Sequence, residues 1–285
     1  MLARLPRPFA MLVTLLLLAA LGWSLAAPRQ EIAKAPPGHY TDMRLYRDIV
    51  SQMDHGESYY AAATAQQRAH HYPTRPFVTV RLPTLYWLAS TIGWARLGWI
   101  EIGLLIANGL IWPLALPGPL TWAERLGAGL AIFLGGLASA SPALTPMSET
   151  WCGLLIALAA AFTLWRKAPW WVPLLIIAAA LSIRELALPF ALLSAVLALA
   201  DGKKREMAAW LVLIALFALG LALHAQAITP HVLASDLSSP GWSSGLGLRG
   251  LLQALIGTTL LHMLPRALAM ALALLPLWWR KRHRN

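Results

Sequence analysis

The sequence predicts an all-α, polytopic transmembrane helix bundle of about eight spans, with an amphipathic helix in its first outer loop. Three observations carry that prediction. Hydrophobic residues make up 58% of the chain and charged residues only 12%, about half the charged share of a soluble domain. The apolar residues fall into runs of span length joined by short polar segments. Lys and Arg recur at alternate joints, as they do in cytoplasmic loops. The net charge of +11 would suggest nucleic acid in a soluble protein. Here it reads as topology, and no nucleic-acid partner is expected. The single cysteine, Cys152, lies inside an apolar run and reads as a packing residue.

Residues 1–285 read as a single transmembrane domain. Arg4 and Arg7 precede an apolar run over 9–27, with Pro28 and Arg29 after it. The pattern resembles a secretory signal, and we read it as an uncleaved first span. Residues 28–97 form the first outer loop, periplasmic if Arg4 and Arg7 stay inside. Within it Met43, Tyr46, Ile49, Val50 and Met53 recur at helical spacing. That predicts an amphipathic helix on the membrane surface, ended by Gly56. Tyr59, Tyr60 and Tyr72 read as rings at headgroup level. A short interfacial helix is expected over 84–93.

Spans are expected at 98–116, 121–140 and 149–165. Gly127, Gly129, Gly135 and Gly136 in the second of these permit close helix contact. The apolar stretch 170–200 is too long for one span and is broken by Arg184-Glu185. Basic residues flank it on both sides, so a pair of short helices with Arg184-Glu185 at the outer apex satisfies the charge rule. A span over 207–227, a second periplasmic loop over 228–248, an interfacial part from 249 and a last span over 264–279 complete the chain. Both termini are then cytoplasmic, and the expected location is a bacterial inner membrane.

Ionisable groups at membrane depth are the first candidates for chemistry. Arg184 could hold a phosphate through bidentate donors, or pair internally with Glu185 to fix the apex. Asp42 could take a proton from a hydroxyl nucleophile, or serve as an N-cap or first-turn carboxylate. Glu57 could bind a sugar hydroxyl or be solvated. Glu101 and Asn108 are expected to hydrogen-bond between helices. Glu149 opens a span, where the helix dipole favours a carboxylate. His224, His262 and Trp242 could line an outer cavity. His70-His71 lacks a third ligand at diagnostic spacing, so no metal site is assigned. Phosphate-loop, HExxH and GxSxG patterns are absent.

Three stretches resemble the GT-C class of membrane glycosyltransferases. The first runs from Thr41-Asp42-Met43-Arg44-Leu45-Tyr46-Arg47-Asp48-Ile49-Val50 to Gly56-Glu57-Ser58-Tyr59-Tyr60. It looks like the class's first outer loop, with an acidic residue just after span one. The second, Tyr72-Pro73-Thr74-Arg75-Pro76 through Val80-Arg81-Leu82-Pro83-Thr84, is similar to the Pro-rich approach to the next helix. The third, Ala180-Leu181-Ser182-Ile183-Arg184-Glu185-Leu186, occupies the place of the basic apex in the class's short helix pair.

The resemblance implies a catalytic base at Asp42 and a lipid-phosphate ligand at Arg184. Glu185, Glu57, Tyr60 and Arg81 join it as substrate-binding residues. It implies a polyprenyl-phosphate sugar donor, a glycan or lipid acceptor and contact with membrane lipid. A divalent metal is compatible with the class and not required. Two features depart from the class: Asp42 has no acidic neighbour, and the chain has fewer spans than members usually have, as in a short or truncated relative. Two other readings follow from the residues alone, a non-catalytic subunit of envelope polysaccharide assembly and a small-molecule transporter. Transporters usually show internal repeats and midplane breaks. The polar residues here gather on one side.

Overall fold

A computed structural model gives the fold, and it describes residues 40–239. The described residues are helical throughout, apart from one isolated bridge between Arg75 and Ser238. The helices are α1 (Asp42–Asp54), α2 (Tyr59–Ala69), α3 (Thr84–Ile92), α4 (Trp94–Ala115), α5 (Trp122–Gly135), α6 (Ser148–Leu164), α7 (Trp171–Ile183), α8 (Leu188–Ala200) and α9 (Lys204–Ile228). The segments expected at 9–27 and 249–279, with His262 and Trp242, lie outside the described residues.

Among the described residues two helices are long and apolar enough to cross a membrane: Trp94–Ala115, and Lys204–His231, where α9 runs on into a short turn. Ser148–Leu164, Trp171–Ile183 and Glu185–Ala200 are shorter apolar helices. Successive long helices pack as hairpins, α4 on α5, α6 on α7 and α8 on α9. Contacts of α4 with α6 and of α7 with α9 join the hairpins into one bundle.

Small residues set the closest approach. A Cβ on Gly129 would stand 2.5 Å from the Gly109 carbonyl oxygen and from a Pro113 ring carbon, so α4 and α5 touch backbone to backbone there. Gly136 is similarly tight against Leu105, while Gly127 and Gly135 face open space. Only two of the four expected glycines therefore serve packing. At the far end of the α4–α5 hairpin, Arg125 donates to the Pro113, Leu116 and Gly118 carbonyls at 3.0, 2.6 and 3.0 Å. It satisfies carbonyls that the end of α4 leaves without helical partners.

Helices α1 to α3 pack on one another and join the same core through contacts of α3 with α4 and α7 and of α2 with α9. Thr41 caps α1, accepting from the Arg44 N–H. The apolar face of α1, Leu45, Tyr46, Ile49 and Val50, is buried against α2 and α3. The amphipathic helix exists as expected, but protein covers its apolar face where a lipid surface was expected to. Helix α2 was not anticipated. Its sequence, rich in Ala and Gln, has no apolar stripe to detect, yet Ala is the strongest helix former and Ser58 caps it through the Ala61 N–H. Tyr59 belongs to the core at 4% exposure and stacks on Tyr86, with ring centroids 5.2 Å apart. It is therefore no headgroup anchor.

Candidate functional site

The break between α7 and α8 falls at Arg184, as the charge pattern predicts. Helix α7 ends at Ile183, Arg184 is extended, and the turn Glu185–Ala187 leads into α8. Arg184 is only 5% exposed. Its Nη2 lies 3.2 Å from Glu149 Oε1, and its Nε lies 3.3 Å from Glu185 Oε1. Nη1 and Nε have no aligned hydrogen-bond acceptor. The internal pairing weighed for Arg184 and Glu185 is present, and it leaves donors of a buried guanidinium unspent. Such groups cost roughly 1–3 kcal/mol each when buried without a partner.

Glu149, in the first turn of α6, is the hub. The same Oε1 accepts from Arg81 Nη2 at 3.2 Å, and Oε2 accepts from the Ser148 hydroxyl at 3.2 Å. Arg81 is held from both sides. The Tyr59 hydroxyl donates to its carbonyl at 2.6 Å, and its own Nε donates to the Tyr46 hydroxyl at 3.3 Å. Burial pushes the Tyr46 phenol up. Arg81 opposes that push, and the nearby Asp42 and Glu149 carboxylates add to it. Tyr46 therefore stays a neutral hydroxyl between the two acids.

Asp42 sits at the start of α1, exposed, where Oδ1 accepts from the Tyr72 hydroxyl at 2.8 Å. Burial and this hydrogen bond to Asp42 hold Tyr72 above the usual phenol range. Asp42 acts on Tyr46 only through its charge, and among the described residues its one side-chain hydrogen bond is the one from Tyr72. Tyr60 faces elsewhere, its hydroxyl 3.2 Å from His224 Nδ1, while His224 Nε2 lies 3.0 Å from the Val80 carbonyl. Glu57 is exposed on the turn after α1. Its side chain makes no hydrogen bond or ion pair to the cluster among the described residues. The structure therefore joins Arg81, Arg184, Glu149 and Glu185, and leaves Asp42 and Glu57 without a hydrogen bond or ion pair to that cluster among the described residues.

Beside this cluster lies a mainly apolar groove of about 500 Å³ between α3, α7 and α9. Leu82 and Pro83, which follow Arg81, form one wall, and Leu181 and Ser182, which precede Arg184, form another. Tyr60 and His224 supply its polar rim, so the expected lining by His224 is present. Among the described residues no group of three or more His, Cys, Asp or Glu side chains is placed to hold a metal.

Sequence reasoning assigned Glu149 to the helix dipole and missed its bridging role. The local signal, a carboxylate at a helix start, is the same for both. Glu101 and Asn108 do bond between helices: the Thr150 hydroxyl donates to Glu101 at 2.5 Å, and Asn108 Nδ2 donates to the Leu154 carbonyl at 3.0 Å. Glu101 thereby tethers α6 one residue past Glu149.

No family model, no curated protein and no solved structure matches this chain.

Proposed function

We propose that this chain is a polytopic membrane glycosyltransferase of the GT-C kind. It would move a sugar from a polyprenyl-phosphate donor to a glycan or lipid acceptor at the outer face of a bacterial inner membrane. One observation carries the reading. Two arginines converge on Glu149 Oε1 while the residues beside each of them in the chain wall an apolar groove. Neither arginine lines the groove itself, so in this reading the groove takes an isoprenoid tail and the adjacent arginine pair takes the lipid phosphate.

The short helix pair supports the same reading. Helix α7 has 13 residues, so it rises only about 20 Å, against a hydrocarbon core of about 30 Å. An apex on so short a helix falls below the outer boundary, within reach of a lipid headgroup drawn inward. With eight spans and both termini inside, the Asp42 and Arg184 ends of the helices would share one outer face.

In the transfer step the acceptor hydroxyl oxygen bonds to the anomeric carbon as the bond from that carbon to the phosphate oxygen breaks. The hydroxyl proton passes to Asp42, and the polyprenyl phosphate leaves with its charge held by Arg184 and Arg81. No nucleotide takes part. One observation favours the non-catalytic lipid-binding subunit as the second reading: the Asp42 carboxylate is already engaged by Tyr72. That reading keeps the groove and the arginines and dispenses with Asp42.

The test supplies membranes carrying wild type, Asp42→Asn or Arg184→Ala with radiolabelled polyprenyl-phosphate sugars, and follows label into acceptor. Transfer lost in both variants at unchanged protein level is the expected result. Equal transfer in all three removes both residues from catalysis. Donor that binds without transfer in wild type and in Asp42→Asn, with binding lost in Arg184→Ala, identifies the subunit reading.

A further inference from the structure

A second cavity of about 340 Å³ lies on the neighbouring face of α9, walled by Arg75, Phe77, Ala225, Ile228 and Val232 among others. Arg75 is its one charged lining residue among those described. It stands in the segment before α3, where its backbone is pinned by the Ser239 N–H donating to its carbonyl at 2.7 Å. Its Nη2 donates to the Ala234 carbonyl at 3.1 Å and to the Asp236 carbonyl. Among the described residues no carboxylate lies within ion-pair distance of this guanidinium. Its Nε is buried and has no acceptor.

The neighbouring acid does not neutralise it. The Asp236 carboxylate is taken by Arg68 at 2.6 and 3.0 Å, by the Thr74 hydroxyl at 2.9 Å and by the Leu233 N–H at 3.0 Å. Arg68, Arg75 and Asp236 together carry one positive charge in excess. The cavity is therefore a largely apolar slot, with Thr74 and Thr229 also in its wall, and it holds a fixed guanidinium whose charge no carboxylate pairs and whose Nε is free to donate.

We infer that this cavity binds the phosphate of an anionic lipid, with an acyl chain along Ala225 and Ile228 of α9 and Val232 just beyond it. Charge complementarity selects an anion, and the apolar remainder of the wall selects a lipid over free phosphate. The bonds from Arg75 to two loop carbonyls fix the guanidinium before the ligand arrives, which lowers the ordering cost of binding. The site requires that the chain sit in a membrane and does not depend on sugar transfer.

The experiment measures lipid binding to the full-length protein in detergent by native mass spectrometry. The probes are phosphatidic acid, phosphatidylcholine and inorganic phosphate, and the variants are Arg75→Ala, Ala225→Trp and Arg184→Ala. Ala225→Trp fills the slot and leaves the bonds made by Arg75 in place, so it stands if Arg75→Ala misfolds. The expected result is a preference for phosphatidic acid that falls about tenfold or more in the first two variants and persists in Arg184→Ala. Unchanged preference in Ala225→Trp overturns the site, as does loss confined to Arg184→Ala. Displacement of the lipid by millimolar inorganic phosphate overturns the choice of a lipid ligand.

Discussion

Asp236 and Glu149 are both carboxylates set among arginines and contacted by residues of the segment between α1 and α3, yet they are satisfied to different degrees. Asp236 accepts from Arg68 through both oxygens, and from Thr74 and the Leu233 N–H, and its side chain is 2% exposed. Both of its carboxylate oxygens are taken. Glu149 is 34% exposed and divides one oxygen between Arg81 and Arg184, and Arg184 keeps donors unpaired. A closed cluster fixes structure, because nothing in it is left to meet a ligand. An open cluster holds charge in place at a cost in stability, which is the usual mark of a binding site. The difference predicts that substitutions in the first cluster act on stability and those in the second on function.

Asp236→Ala should produce the largest loss of stability. It removes the carboxylate that Arg68 and Thr74 share, leaving Arg68 with only the His231 carbonyl, and takes away the charged tie between the segment after α9 and the segment before α3. Removing one partner of a buried pair costs roughly 3–5 kcal/mol, and the partial exposure of Arg68 places this case near about 3. A clear drop in the unfolding midpoint in detergent checks it, with residual transfer per folded molecule unchanged. The acid dependence sharpens the same point. The hydrogen bonds from Arg68, with those from Leu233 and Thr74, hold the Asp236 carboxyl well below the usual carboxylate range against the opposing effect of burial. A depressed folded value gives stability that is complete above the unfolded value of about 3.9 and decays as the pH falls further. The tie should therefore survive at pH 5 and open only in stronger acid. An unfolding midpoint that falls between pH 7 and pH 5 in wild type, and not in Asp236→Ala, would contradict it.

Arg184→Ala comes next, and its effect should fall on the other axis. Glu149 keeps Arg81 as a partner, Glu185 loses its contact but is 28% exposed and can be solvated, and the cost of a guanidinium with unpaired donors disappears. Stability should change by about 1 kcal/mol or less, while transfer falls on the order of a hundredfold with the loss of a phosphate ligand. A midpoint drop as large as that of Asp236→Ala would show that the two clusters do the same structural work. The contrast between them would then fail.

How much of this was legible in advance depends on which signal each feature writes into the chain. The break at Arg184-Glu185 was legible because two charges interrupt an apolar run, and hydropathy registers that directly. Helix α4 begins at Trp94, four residues before the expected span, because Gly93 and Trp94 carry no charge to mark a boundary. Helix α2 was invisible to periodicity because its small and polar residues make no stripe, although its Ala content favours a helix. Glu149 and Asp236 were not legible as hubs. Their partners are Arg81, 68 residues away, and Arg68, 168 residues away, and no local pattern encodes such pairs.

Tyr72→Phe tests the junction between Asp42 and the protein. It removes one hydroxyl that donates to Asp42 at 2.8 Å and to the Tyr40 carbonyl at 3.1 Å. A partly exposed hydrogen bond contributes about 0.5–1.5 kcal/mol, and water can replace this one at Asp42. A small midpoint shift and transfer within a few-fold of wild type are expected. If Tyr72→Phe abolishes transfer, then Tyr72 and Asp42 act as a unit, and the base is wrongly assigned to Asp42 alone.

The smallest effect should come from Glu57→Ala, which separates contact with the cluster from mere presence in the same loop. Glu57 is exposed on the turn that follows α1, and its backbone N–H already donates to the Gln52 carbonyl at 3.1 Å. Its carboxylate gives nothing to that turn. Exposed side chains without partners usually change stability by less than about 0.5 kcal/mol. Glu57 entered the candidate set through its place in a resemblance, whereas Arg81 and Arg184 are joined to each other through Glu149. Transfer in Glu57→Ala equal to wild type, beside loss in Arg184→Ala, is the expected pair of results under one assay. A deep loss in Glu57→Ala would mean that substrate reaches beyond the cluster to this turn, and the site would then have to extend along the exposed edge of α1.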